Sequence, residues 1–255
     1  MIVHNKRKLV FLRLEEVVTV IRVDRAELTR NEIIRVAANR FLKDGYSKTS
    51  IHSMCKALNM STGNLTFYFP TKEHLLTELV GLLCEFQWKM LEEEAAEGNS
   101  SLLAVCLELL SIAVACEQDE VVKDFFLSSY RSQMSMDLIR NNDKKRAMDV
   151  FKEYCSDWTE ERFEEAEMLV SGIEYGTFMT TTGSVPLERR ITGALNAILT
   201  IYQVPEDIRK QKIAKVLALD YRKLGMRVLT EFRQYVDYTT EQALINLFSK
   251  KSVQG

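Results

Sequence analysis

Long apolar runs, prolines, glycines and paired cysteines are all scarce in this chain of 255 residues. The richest apolar stretch, residues 102 to 115, carries Glu108 in its middle and falls short of the roughly 18 uninterrupted apolar residues that a membrane span needs. No membrane partner is therefore expected. Five cysteines (Cys55, Cys84, Cys106, Cys116, Cys155) form no CxxC pair, and an odd count without a signal peptide points to free thiols in a reducing cytoplasm. Three prolines and ten glycines leave little to interrupt helices. There is no GxGxxG, no glycine-rich phosphate loop and no HExxH, and the chain has only three histidines. These absences argue against an enzyme: no catalytic residue, cofactor or metal ligand is expected.

What is present is 46% hydrophobic residues, enough for a proper core, and a lopsided charge. Residues 1 to 76 hold 13 Lys and Arg against 7 Asp and Glu, whereas the remainder holds 21 against 29, so a front of +6 precedes a body of −8. A basic end on an acidic chain fits a nucleic-acid footprint there. Apolar residues recur at helical spacing nearly throughout, which predicts an all-α fold. Beyond the front, helices are expected at about 100 to 117, 119 to 132, 134 to 155, 159 to 181, 187 to 202 and 206 to 236, with a short one after Thr240.

The first 27 residues read as an extension with β-prone runs, in which Lys6-Arg7-Lys8 has the character of an arm that touches a DNA minor groove. Thr29 and Glu32 are spaced as a capping box, so the first helix is expected to start there and to end at Gly45. Ile33, Ile34, Ala37, Ala38, Phe41 and Leu42 form its apolar stripe. A short second helix, capped by Ser47 or Thr49, carries Ile51, Met54, Cys55 and Leu58 on one face. Asn59 suits a turn of positive φ. Ser61 can then cap a third helix from Thr62 to Tyr68, which Pro70 stops, and Thr71 caps a fourth.

Gly45-Tyr46, Thr49-Ser50-Ile51, Ala57, Ser61-Thr62-Gly63-Asn64-Leu65 and Phe69-Pro70-Thr71-Lys72-Glu73-His74-Leu75-Leu76 together resemble the signature of the tetracycline-repressor (TetR) family over residues 30 to 76. The resemblance implies an N-terminal three-helix helix-turn-helix that binds DNA, placed at residues 28 to 86 with the first part of the linking helix, and a larger helical ligand-binding and dimerisation domain at 87 to 255. It also implies an inverted-repeat operator in double-stranded DNA, a homodimer and a small-molecule effector, most simply as a repressor that the effector relieves. Lys48, Thr49, Ser61, Thr62, Gly63, Asn64, Thr66, Phe67, Tyr68 and Lys72 are the expected DNA-binding residues. Ser61, Thr62 and Gly63 bring the start of the third helix close to phosphate, and Asn64 has the donor and acceptor to read a base edge. Lys72, a cation in a helix's first turn, is misplaced for the helix dipole but suited to phosphate. Its loss is therefore expected to leave stability unchanged or slightly raised. Thr66 and Phe67 depart from the tyrosine or polar aromatic that members of the family often carry, and Asn59 replaces the usual glycine.

In the C-terminal part Phe126, Tyr130, Met134, Trp158, Tyr175 and Phe178 are candidate pocket residues, along with Phe125, Met168 and Met179, because ligand sites are concave and largely apolar. Ile213, Val216, Leu217, Leu224, Val228, Leu229 and Phe232, with Ile191, Leu195, Ile198 and Leu199, are candidates for the dimer contact. Neither His52, Cys55 and His74 nor the acidic run 159 to 167 has the spacing of a metal site, and the run reads as a solvated helix start. The competing reading is a helical small-molecule-binding or metal-binding protein that keeps its helix-turn-helix only as scaffold.

Overall fold

The computed structural model describes residues 25–95, 101–180 and 185–252, with side chains described up to residue 238. The expected basic arm at Lys6-Arg7-Lys8 lies outside these residues. Every regular element among them is a helix. In chain order they are α1 (Arg25–Arg40, continued by a π-helical turn, Phe41–Gly45), α2 (Ile51–Leu58), α3 (Thr62–Tyr68), α4 (Lys72–Ala95), α5 (Leu102–Gln118), α6 (Glu120–Arg131), α7 (Gln133–Val150), α8 (Glu160–Met179), α9 (Leu187–Ile201), α10 (Glu206–Leu217) and α11 (Tyr221–Ser252). No described helix is long and apolar enough to cross a membrane.

Local chemistry sets most of these boundaries. Gly45 ends the first helix at φ +100°, a conformation that L side chains rarely adopt. Ser50 caps α2 in a reciprocal box with Ser53, Asn59 closes it in the left-handed region at φ 50°, and the Ser61 hydroxyl accepts the Asn64 N–H at 3.2 Å to open α3. Phe69, before Pro70, is extended and stops α3. Thr71 then accepts the His74 N–H at 3.4 Å. Downstream, Ser101, Asp119 and Thr159 cap α5, α6 and α8 in the same way.

Several expectations need correction. The chain is already helical at Arg25, the first described residue, so Thr29 sits inside the helix, and Glu32 is held by the Arg35 guanidinium (Nε to Oε2, 2.8 Å) rather than folding back on a cap. The second helix is capped by Ser50, because Ser47 and Thr49 are engaged elsewhere. The single helix expected over 206 to 236 is two, since Asp220 accepts the Lys223 N–H and starts a new helix that continues through Thr240 without a break. The α7 helix ends at Val150, where Phe151 turns inward and stacks on Tyr202 with ring centroids 4.0 Å apart.

The buried apolar residues form one continuous cluster, from Ile33 in α1 to Val236 in α11. Ile191, Leu195, Ile198, Leu199, Ile213, Val216, Leu224, Val228, Leu229 and Phe232 all lie in it, with Leu217 packed at its edge. They fill the subunit's own core and do not face a partner. The long α11 lies across α5 and reaches back to α1, where Arg233 donates to the Leu42 carbonyl and Phe86 of α4 meets Phe232 and Tyr235. Its close approach to α5 depends on Gly225, where an added Cβ would stand 2.7 Å from the Ser111 carbonyl oxygen. A rigid backbone atom cannot retreat as a side chain can. Gly225→Ala is expected to destabilise the protein by about 1 to 3 kcal/mol, the usual cost of overpacking, despite alanine's better helix propensity. Urea unfolding measures this, and an unchanged or raised midpoint would contradict the close approach.

Candidate nucleic-acid interface and interior cavity

The helix-turn-helix is built on an apolar anchor. Leu65 and Phe69 turn inward from α3 and are buried with Ile34, Phe41 and Met54, while Ile51 and Leu58 pack at the margin. That leaves Ser61, Thr62, Gly63 and Asn64 exposed at the start of α3, and Phe67 projects with 78% of its surface open to solvent. Tyr68 is half-buried and meets Phe67 edge-on at 5.3 Å. Thr66 is also half-buried, and its hydroxyl donates back to the Thr62 carbonyl at 3.0 Å, so it is partly spent within the helix. Lys48 is exposed beside the turn. These eight of the ten expected DNA-binding residues are therefore exposed or half-buried.

The other two are engaged within the protein. Thr49 is buried, its hydroxyl donates to the Gly45 carbonyl at 2.7 Å and its N–H bonds the same turn, so it has nothing to offer DNA. Lys72 points into the protein: its ammonium donates to the carbonyl oxygens of Tyr46 (2.9 Å) and Thr49 (3.0 Å) and lies 3.9 Å from the centre of the Tyr46 ring. Desolvation lowers its pKa, while the nearby Asp124 carboxylate opposes that shift. Asp124 itself comes from α6, where it accepts the Ser47 N–H at 2.7 Å and the Ser47 hydroxyl. Turn 45–49 is thus held from one side by α4 and from the other by α6.

The second site lies inside the C-terminal helices. Two adjoining narrow spaces, each with about 40 Å³ open, share walls made by Glu108 of α5, Asp143 of α7 and Glu174 of α8. That is room for a few water molecules apiece. One continues to Trp88, Phe151, Glu167 and Tyr202, the other to Cys84, Phe125, Phe126 and Tyr130. Of the expected pocket residues, Phe126 and Tyr130 line this space, as does Phe125. Phe178 backs them, with its ring centroid 5.5 Å from that of Tyr130. The remaining expectations are corrected. Trp158 packs on Phe163 and Tyr202, Tyr175 takes the Arg131 guanidinium at 3.0 Å, Met134 lines a shallow outer groove, and Met168 and Met179 are exposed.

The carboxylates are what the sequence reading missed. Arg146 is their nearest cation, shared among Glu108 (3.3 Å), Asp143 (3.3 Å), the Cys84 carbonyl (2.8 Å) and the Trp88 ring. Tyr130 donates to Glu174 at 2.8 Å and Tyr202 donates to Glu167. Burial pushes the acids up, to about 8 for Glu174 and about 7 for Glu167, and raises Glu108 and Asp143 as well. The Tyr130 and Tyr202 hydroxyls are raised too, first by burial and then by their glutamates. One signal was legible: Glu108 interrupts the most apolar stretch of the chain. Glu167 was read as part of a solvated helix start, which holds for Glu160, Glu161, Glu164 and Glu165 but not for Glu167, buried to 4%.

Residues 33–79, which span α1 to the first half of α4, match the family model described as bacterial regulatory proteins, tetR family. Over this segment the chain is similar to the tetR family. The HTH-type transcriptional regulator QacR of Staphylococcus aureus is similar to it, 35% identical over 63 residues, 24% of this chain and 34% of QacR. The match thus spans about a third of that relative's length. Among solved structures, the TetR family protein CprB from S. coelicolor A3(2) overlays with a TM-score of 0.43 at 21% identity, covering 80% of this chain and 98% of CprB. A gamma-butyrolactone receptor (ArpA-like protein) overlays with a TM-score of 0.40 at 20% identity, covering 82% and 99%.

Lys72 stabilises the turn that presents α3. Lys72→Ala is expected to lower stability by about 1 to 3 kcal/mol, the range for hydrogen bonds from a charged donor, which reverses the expectation drawn from the helix dipole alone. Lys72→Arg retains the charge but not the compact reach to two carbonyls, so it recovers only part of the loss. Urea midpoints that leave Lys72→Ala level with the parent would contradict this role.

Proposed function

We propose that the chain is a cytoplasmic, dimeric DNA-binding transcription regulator that represses until an effector enters the interior cavity. The observation that carries the DNA half is the tetR-family segment with a capped α3 whose outward residues, Asn64 and Phe67 above all, have no structural task. A side chain as apolar and as exposed as Phe67 costs solvation unless something covers it, and a thymine methyl is a suitable cover. Lys48 and the exposed N–H groups at the start of α3 supply phosphate contacts. The domains divide within α4, with 28 to 86 as reader and 87 to 255 as sensor.

The α6 helix supports effector control. It presents Phe125, Phe126 and Tyr130 to the cavity and Asp124 to Ser47 of the turn, so a ligand that displaces Tyr130 acts on the same rigid helix that holds the reader. Coupling of this kind is usually worth about 1 to 3 kcal/mol. For dimerisation, α8 and α9 offer an outward face of Met168 (58% exposed), Leu169 (61%), Gly172, Gly193 and Ala197. A Cβ built at either glycine would meet nothing within 4 Å. Small residues flanking large exposed apolar ones suit close packing against the same face of a second copy, which makes a two-fold dimer on an inverted repeat.

Selecting bound sequences from random DNA tests the whole reading, with an inverted repeat expected and no enrichment the contrary result. On the selected site Asn64→Ala is expected to cost about 1 to 3 kcal/mol while leaving random DNA almost unaffected. Lys48→Ala is expected to weaken both and to flatten the log–log salt slope by about 0.9. Equal loss on both DNAs for Asn64→Ala would remove it from base reading. Leu169→Glu is expected to give a folded monomer by sedimentation with greatly reduced operator affinity; a dimer of unchanged strength would place the interface elsewhere. A protein that binds the small molecule but shows no salt-dependent DNA binding would support the scaffold reading instead.

A further inference from the structure

We propose that the interior cavity is a site for a slender organic cation carrying more than one positive charge, a linear diamine or polyamine. This rests on the effector cavity of the preceding section and names the class of molecule that fits it. Four carboxylates from three helices, Glu108, Asp143, Glu167 and Glu174, line the two adjoining spaces, and among the described residues Arg146 is the one basic side chain in their walls. Arg140 stands outside the wall, on the Ser171 hydroxyl at 2.9 Å, and acts on Glu167 only through space. Carboxylates in such excess are costly in a low-dielectric interior unless they are neutralised.

The oxygens are also incompletely used. Glu167 spends one oxygen on Tyr202, Glu174 one on Tyr130 and Asp143 one on Arg146 at 3.3 Å. The second oxygen of each has no protein hydrogen bond among the described residues, and none is sealed off as a buried orphan, so each opens onto the cavity. Acceptors without donors, among aromatic side chains of Trp88, Phe151 and Tyr202 in one space and Phe126 and Tyr130 in the other, form a receptor for N–H-bearing cations.

Two features select the shape of the ligand. Among the described residues no group of three His, Cys, Asp or Glu converges closely enough to hold a metal ion, so the negative charge is spread out, and a single compact ion does not satisfy it. The spaces are small and lie side by side against the same three acids, which suits a chain with charges along its length more than a bulky ring system. Binding favours the ionised acids. With burial raising Glu174 to about 8 and Glu167 to about 7, a dication entering at neutral pH expels protons to solvent. Affinity therefore rises with pH through that range. Burial holds the facing Tyr130, Tyr202 and Cys84 protonated, so they do not contribute, and Arg146 stays charged.

The test is calorimetry on the full chain, without DNA, using straight-chain α,ω-diamines of four to twelve carbons and, at each length, the matching diol and dicarboxylate. The expected result is that diamines of some length bind and diols and dicarboxylates do not. The heat should vary with the ionisation enthalpy of the buffer, revealing proton release, and affinity should be at least about tenfold higher near pH 8 than near pH 6. Glu174→Gln and Asp143→Asn are each expected to weaken binding at least about tenfold while keeping or raising the thermal midpoint, because each removes a buried acid without changing its size. Equal binding of diol and diamine overturns the proposal, as do equal affinities in parent and folded variants, which would put the diamine on the acidic surface. Absence of binding by any diamine overturns it too. None of these results touches the DNA-binding reading, which fails only in the DNA selection.

Discussion

Turn 45–49 is the joint on which the arrangement depends. It is clamped between an ammonium from α4 and a carboxylate from α6, and each clamp reaches it through backbone as well as side-chain atoms. Lys72 bonds two of its carbonyls, Asp124 accepts the Ser47 N–H, and Thr49 closes the turn on itself through the Gly45 carbonyl. A Cβ at Gly45 would stand 3.2 Å from an Asp124 oxygen, so the turn's positive φ and its contact with α6 both favour glycine there. The orientation of α2, and hence of α3, follows from how this turn is held. Burial and the facing charges push the Tyr46 hydroxyl up to about 12, which keeps its ring neutral under the Lys72 ammonium.

From the joint inward, α6 is a short rigid path. Directly after Asp124 its side chains Phe125 and Phe126 reach the cavity, and further on Tyr130 is bonded to Glu174. On the proposed reading, the DNA-binding front and the cavity are linked through hydrogen bonds made by two residues of one helix of 12 residues, Asp124 and Tyr130. An acid cluster suits such a sensor. On the proposed reading its charge state would change when a cation arrives, and repositioning of Tyr130 and Glu174 would act on a helix rather than on a loop. Two discrete arrangements of packed helices are the usual means by which small shifts at a site become large ones elsewhere.

The front of the molecule was readable because its signals are local. Asn59, Ser61, Pro70 and Thr71 act on neighbours within four residues, so their types and spacing alone placed the turn and both ends of α3. Lys72 was misread for a physical reason: sequence reports its charge but not that its side chain turns inward to carbonyls 23 and 26 residues away. The cavity was hidden in the same manner. Its acids lie at positions 108, 143, 167 and 174, each surrounded in sequence by ordinary helix, and only tertiary packing joins them. Aromatic content pointed to Phe126 and Tyr130 but equally to Trp158, Tyr175 and Phe178, because core and pocket draw on the same residue types. The dimer candidates failed likewise, since periodic apolar residues mark a buried face without saying what buries it.

The claim on which the account rests is that cavity and reader are linked through α6. A double-mutant cycle on operator affinity tests it without any effector, pairing Tyr130→Phe, which breaks the bond to Glu174, with Ser47→Ala, which removes the hydroxyl bonded to Asp124. The two side chains make no shared contact, so unlinked effects would add to within about 0.5 kcal/mol. Linkage through α6 predicts an interaction term of about 0.5 to 2 kcal/mol. Additive effects, with both single variants measurably altered in affinity, would contradict it.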